Sequence, residues 1–256
     1  MDERDRARAR DLAREAAVVG GRVVRETDLE SVELKGRADY VTHVDREAEK
    51  AIREVLADGP GDVPVVGEEL GGVEADRYWL VDPLDGTVNF VHGFPVVGVS
   101  VALIQDGIPA AGCVHAPFLD LTFTAGRGLG AEENGRPISV SERSPEQAVV
   151  GTGFPFRYKD RLPRQLELML PALDRFEDLR RPGAVSLDLA WVASGAFDGF
   201  FELALSPWDV AAGALLVEEA GGLVTDWFGG PEYLSGDILA GPPQIHRVLV
   251  ELAGAG

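Results

Sequence analysis

The chain is poor in thiols, in lysine and in long apolar runs. A single cysteine, Cys113, stands among 256 residues, which excludes an internal disulfide framework and a cysteine-based zinc site. It lies in the apolar run 110–114 and reads as a small buried hydrophobe. Lysine occurs only at 35, 50 and 159. Lys plus Arg total 24 against 43 Asp plus Glu, a net charge of −19. A phosphate-backbone binder shows the opposite balance, so nucleic acid is not an expected partner. The acid surplus predicts a surface that gains stability with ionic strength. A salt-rich cell interior and an arginine-favouring genome account for it equally well. The most apolar window, 94–104, is too short to span a bilayer. The first fifteen residues are charged throughout, unlike a signal peptide. The expectation is a cytoplasmic, reduced, soluble protein with no membrane partner.

What is present suits a sizeable core. Hydrophobic residues make up 45% and charged residues 26%, the balance of a globular protein of one large or two small domains. Residues 2–27 read as a helix striped by Ala9, Leu12, Ala13, Ala16, Ala17 and Val24. Thr42 and Asp45 form a capping-box pattern ahead of a second helix face, Val44 to Leu56. A short strand at 63–66 leads into Gly67-Glu68-Glu69. Strands near 97–105, 109–115 and 120–125 read as an antiparallel meander, and 133–136 as a hairpin turn. The segment 141–147 resembles a linker, which divides the chain into 1–145 and 146–256. Beyond it strands and helices alternate, as in an α/β layer. The helices expected there are 162–174, interrupted by Pro171, then 185–194, 207–220 and 243–252.

One stretch carries chemistry, Trp79-Leu-Val-Asp-Pro-Leu-Asp-Gly-Thr-Val-Asn-Phe90. An apolar strand ends in Asp82, Asp85 follows, Gly86 frees the backbone, and a helix can begin at Thr87. Two carboxylates suit a hard cation. The open N–H groups of a first helical turn suit an anion such as phosphate. Taken alone, the stretch reads equally as a turn, since Asp-Pro and Asp-Gly are ordinary turn formers. Ser206-Pro-Trp-Asp209 has the same ambiguity: Ser206 is a good N-cap and Asp209 falls in the first turn.

Taken together, the segments resemble the inositol monophosphatase family of Mg²⁺-dependent, lithium-sensitive phosphatases. Gly67-Glu68-Glu69 is similar to its first acidic motif and 79–90 to its central signature. Residues 208–222 are similar to its C-terminal signature. Lys35, Asp39, Val41-Thr42 and Asp45 resemble its N-terminal pattern, and 152–156 and 198–202 resemble segments of its bacterial members. The resemblance runs from about residue 7 to 250 in the right order.

The resemblance implies a layered α-β-α-β-α sandwich of the inositol monophosphatase and fructose-1,6-bisphosphatase type, and a homodimer. It implies two to three Mg²⁺ ions. Glu68, Asp82 and the Leu84 carbonyl would hold the first, and Asp82, Asp85 and Asp209 the second. Glu68, Thr87 and Asp45 would be catalytic, orienting and deprotonating a water. Asp85, Gly86, Thr87, Glu202 and Asp209 would meet substrate, with Glu202 gripping a hydroxyl. The implied activity is hydrolysis of a small polyol or sugar phosphate, inositol 1-phosphate foremost. Fructose 1,6-bisphosphate, a 3′-phosphonucleotide and a catalytically silent, metal-bound interaction module are the alternatives. Arg180 and Arg181 precede Gly183-Ala184, where the family has Gly-Ser/Thr-Ala, and one of them is a candidate for a second phosphate. His43, His92, His115 and His246 lack ligand-like spacing and read as structural.

Overall fold

An alanine-striped helix opens the chain. Helix α1 (Glu3–Glu26) is capped by Asp2, whose carboxylate accepts from the Asp5 N–H at 2.8 Å. The computed structural model describes residues 1–29, 31–36 and 39–254, with the side chains of 34–39 outside that description. The Lys35 and Asp39 side chains of the N-terminal pattern therefore lie outside the described residues. Strands β1 (Val32–Gly36) and β2 (Asp39–Thr42) pair antiparallel as a separate ribbon, where the sequence reads only as a polar stretch. Helix α2 (His43–Ala57) then packs beside α1.

A seven-stranded sheet follows. Its strands are β3 (Val65–Gly67), β4 (Arg77–Asp85), β5 (Gly98–Gln105), β6 (Ile108–Ala116), β7 (Leu121–Gly126), β8 (Gly130–Glu133) and β9 (Arg136–Pro137). Neighbours in the sheet are neighbours in sequence, because tight turns join β5 to β9 as the antiparallel meander. Only β3 pairs parallel, against β4. The short helix α3 (Thr87–Val91) leaves the end of β4.

The second half builds a five-stranded sheet from β10 (Val149–Thr152), β11 (Asp178–Arg180), β12 (Gly199–Glu202), β13 (Leu223–Thr225) and β14 (Ile238–Gly241), in the order β11-β10-β12-β14-β13. Its helices are α4 (Leu162–Arg175), α5 (Val185–Ala193), α6 (Pro207–Glu219) and α7 (Pro243–Gly254). α4 runs through Pro171 instead of stopping there. The ring costs one backbone bond, but Leu168 and Ala172 on either side are buried against the sheet and hold the helix together.

Three apolar clusters define five layers. The first joins α1 and α2 to one face of the larger sheet through Ala13, Ala16, Ile52, Val99 and Leu103. The second is the central layer, with α5 and α6 buried between the two sheets. Both helices are apolar almost all round, as a helix must be when it is covered on both sides. The third packs α4 and α7 on the outer face of the smaller sheet. The α-β-α-β-α stack is the expected fold. The 141–147 segment is tied down more firmly than a linker requires: Arg143 and Ser141 both donate to the buried carboxylate of Asp198, Arg143 at 2.8 Å. Among the described residues no helix is long and apolar enough to cross a membrane.

Candidate active site

The site begins with an irregularity in β4. Asp82 pairs with Ser100 of β5, and Asp85 pairs with Gly98. Three steps along β4 thus match two along β5, so the strand carries one extra residue, a β-bulge. In a regular strand residues three apart point to opposite faces. The bulge turns Asp85 to the same face as Asp82. Pro83 sits in the bulge, where a missing N–H costs least. Leu84 N donates to Asp82 Oδ1 at 2.9 Å and fixes that carboxylate.

Gly86 then takes a left-handed conformation with φ of 91°, and a Cβ there would stand 2.9 Å from the Val96 carbonyl. Only glycine fits such a turn without strain. It starts α3 at Thr87. The Thr87 hydroxyl has two acceptors in reach, the Leu84 carbonyl at 3.1 Å and Asp45 Oδ1 at 3.4 Å. Asp45 is buried and closes the capping box of α2: its Oδ2 accepts from Thr42 N at 2.8 Å and Thr42 Oγ1 at 2.5 Å. The cap and the link to Thr87 use different oxygens, so one carboxylate serves both.

Asp209 resolves in the same way. It caps α6 by accepting from the Ser206 N–H at 2.9 Å, and it lines the same cavity as Asp82. Glu68, Asp82, Leu84, Asp85, Gly86, Thr87, Glu202 and Asp209 line one open cavity of about 160 Å³. Asp45 stands behind it through Thr87. Every expected site residue is therefore in the cavity or joined to it by one hydrogen bond.

Electrostatics at this cavity are unfavourable to charge on the acids alone. Burial, then the charges of Glu68, Asp85 and Asp209, push the Asp82 carboxyl well above the usual range. Asp85 is raised to about 7 by burial and by Asp209, against the opposing hydrogen bonds of Ser186. Burial raises Asp209 as well. Glu202 is pushed up to about 8, by burial and then by Asp209 and Asp85. Among the described residues no three His, Cys, Asp or Glu side chains form a ready-made cluster around one ion. The acids are held instead by the backbone N–H groups of Leu84, Ser186 and Ser206. Hard oxygen donors whose ionised forms lack compensation fit a hard divalent cation.

Several residues went unnoticed in the sequence. Glu49 is fully buried in α2 and accepts from the Glu69 N–H at 2.8 Å, the Leu70 N–H at 3.2 Å and Arg53 Nε at 2.8 Å. It fixes the turn that carries Glu68. Its Arg53 partner four residues on makes the pair look like ordinary helix-surface charge. Ser186 holds Asp85 from α5. Asp188 is 1% exposed, its Oδ1 has no hydrogen-bond partner, and burial, Asp85 and Glu202 raise its carboxyl well above normal. A lone acid in the apolar run Val-Ser-Leu-Asp-Leu-Ala-Trp was the available signal. Of the arginine pair, Arg181 lines the cavity, over the Phe156 ring at 5.3 Å, whereas Arg180 pairs with Asp178. Arg157 also lines it. The histidines are structural where they form bonds: His246 meets Thr225 Oγ1 at 2.8 Å, and His115 meets Thr122 Oγ1 at 2.9 Å.

A bulge-aligned acid pair and a helix-capping third acid thus share one open cavity. The inositol monophosphatase family model matches residues 3–255, and the chain belongs to that family, whose members are metal-dependent phosphoric monoester hydrolases. It is 45% identical over 247 residues to a Nus factor SuhB of Pseudomonas aeruginosa, covering 93% of this chain and 91% of the relative. It is 38% identical over 250 residues to a fructose-1,6-bisphosphatase/inositol-1-monophosphatase of Aquifex aeolicus, covering 95% and 94%. Its fold matches a crystal structure of the extragenic suppressor protein suhB from Bartonella henselae with a TM-score of 0.91, at 39% identity over 96% of this chain and 98% of that one.

Proposed function

We propose that this phosphatase hydrolyses a small polyol or sugar monophosphate, inositol 1-phosphate foremost, with Mg²⁺. One observation carries the reading: Glu202 opens onto the same cavity as Glu68, Asp82, Asp85 and Asp209. A hydroxyl-gripping acid beside a cation-binding set suits a phosphate ester of a polyol. Glu68, Asp82 and the Leu84 carbonyl would hold one ion, and Asp82, Asp85 and Asp209 a second, with a third near Glu68. Such ions would lower the pKa of a water and neutralise phosphate charge.

The chain's own groups do the rest. Thr87 donates its O–H toward Asp45, so its oxygen lone pair can accept from the attacking water. Glu68 takes the proton that the water loses. The backbone amides of Gly86 and Thr87, at the start of α3, orient the phosphate oxygens. Glu202 accepts from a substrate hydroxyl through a carboxyl oxygen. No covalent enzyme intermediate is part of this reading.

A second reading has Arg181 in its favour. A guanidinium at the cavity wall suits a second phosphate, as fructose 1,6-bisphosphate carries. Kinetics with Mg²⁺ on inositol 1-phosphate, fructose 1,6-bisphosphate and 3′-phosphoadenosine 5′-phosphate decide between the readings. The highest kcat/KM is expected for inositol 1-phosphate, and preference for the bisphosphate selects the second reading. Asp85→Asn should abolish most turnover on every ester. Mg²⁺ binding with no phosphate release from any of them leaves only the silent module.

A further inference from the structure

Arg157 reaches into the acid cluster from the loop between β10 and α4. Its Nη2 lies 3.6 Å from Glu68 Oε1. It lines the same cavity as Asp82, Asp85 and Asp209, and its charge favours the ionised form of Asp209. The arginine side chain is 41% exposed and Glu68 only 14%. The guanidinium therefore sits at the rim while the carboxylate sits within. Phe156 and Tyr158 on either side are exposed, so this arm lies at the surface and not in the core.

The cavity's two arginines divide their work. Arg181 lies over Phe156 and acts on Glu202 and Asp188, the polyol half. Arg157 acts on Glu68 and Asp209, the half assigned to the ions. A carboxylate that ligates a divalent ion holds a neighbouring guanidinium less strongly, because the ion's two positive charges repel it. We propose that Arg157 is the cavity's own counter-cation: it partners Glu68 until a divalent ion takes that carboxylate, and is then displaced outward, away from Glu68. Displaced, it stands where an incoming phosphate ester enters, so one side chain stabilises the acids before loading and meets the anion afterwards. The proposal rests on the metal-dependent reading above.

The test is calorimetric titration of Mg²⁺ into the metal-stripped full chain, for the wild type, Arg157→Gln and Arg180→Gln. Arg157→Gln should bind Mg²⁺ roughly two- to fivefold more tightly, the size of one partly exposed ion pair. Arg180→Gln, which loses a charge outside the cavity, should bind as the wild type does. Melting in EDTA gives a second readout: Arg157→Gln should melt below the wild type, and saturating Mg²⁺ should close the gap. An affinity unchanged or weakened in Arg157→Gln, an equal gain in Arg180→Gln, or no loss of melting temperature in EDTA overturns the role of Arg157. A wild type that binds no Mg²⁺ overturns the metal reading itself, and this inference with it.

Discussion

Ser186 donates twice to a single oxygen of Asp85, from its backbone N–H at 2.7 Å and from its hydroxyl at 2.6 Å. The serine opens α5 in the second half of the chain, and the aspartate ends β4 in the first. This pair fixes which lone pairs Asp85 keeps for other uses. Removing the hydroxyl in Ser186→Ala leaves the backbone bond and costs about 1.5 kcal/mol of stability. Loss of such an orienting bond should raise the Mg²⁺ concentration for half-maximal activity about tenfold. Titration of activity against Mg²⁺ measures it, and an unmoved midpoint contradicts the role.

Glu49 holds the turn that presents Glu68. Glu49→Ala leaves the Glu69 and Leu70 N–H groups without their acceptor and strips Arg53 of its buried partner. The expected cost is about 1–2 kcal/mol, the penalty for leaving part-buried donors unmet. Urea denaturation reads this directly. A loss near zero would mean that water replaces the carboxylate without consequence.

Gly153 owes its place to Glu202. A Cβ on it would stand 2.1 Å from Glu202 Oε2, closer than any real contact. Gly153→Ala should push the carboxylate away and raise KM for a polyol phosphate about tenfold, the value of one charge-assisted hydrogen bond. Melting temperature should change little, because the clash is with the end of a side chain. An unchanged KM argues that Glu202 does not touch substrate.

The acids also set how stability depends on pH. Asp85 at about 7 and Glu202 at about 8 retain protons that ordinary carboxylates of the unfolded chain release near pH ~4. Between about pH 4 and 8 the folded state binds more protons than the unfolded state, so stability falls as pH rises. In EDTA the protein should melt at a higher temperature at pH 5 than at pH 8. Equal or inverted values would show that these acids are already compensated.

Mg²⁺ should reverse that loss. Binding only to the folded state stabilises it by about 2.7 kcal/mol at one hundred times Kd. The gain should be larger at pH 8, where the acids are ionised, than at pH 5, where protons compete. Identical melting temperatures in EDTA and in excess Mg²⁺ would remove the basis for the ion assignments.

Much of this site is legible without coordinates because its parts are local. Asp82, Asp85 and Gly86 lie close together in the chain, and the caps Thr42–Asp45 and Ser206–Asp209 are four-residue patterns with a fixed geometry. Strand alternation and the meander turns are local in the same sense. The β1–β2 ribbon was hidden by its polar composition, and Pro171 misled because packing outweighed a local rule.

The sequence by itself determined the chemistry: which oxygen donors exist, which of them cap helices, and that no thiol or imidazole competes with them. Tertiary structure alone decided who meets whom. The bulge between Asp82 and Asp85, the grip of Ser186, the buried support of Glu49 and the approach of Arg157 to Glu68 each depend on strand register or on helices packed from distant parts of the chain. Spacing along a chain fixes what is near within a turn of helix. Contacts across layers follow from how apolar faces bury one another, which no local pattern encodes.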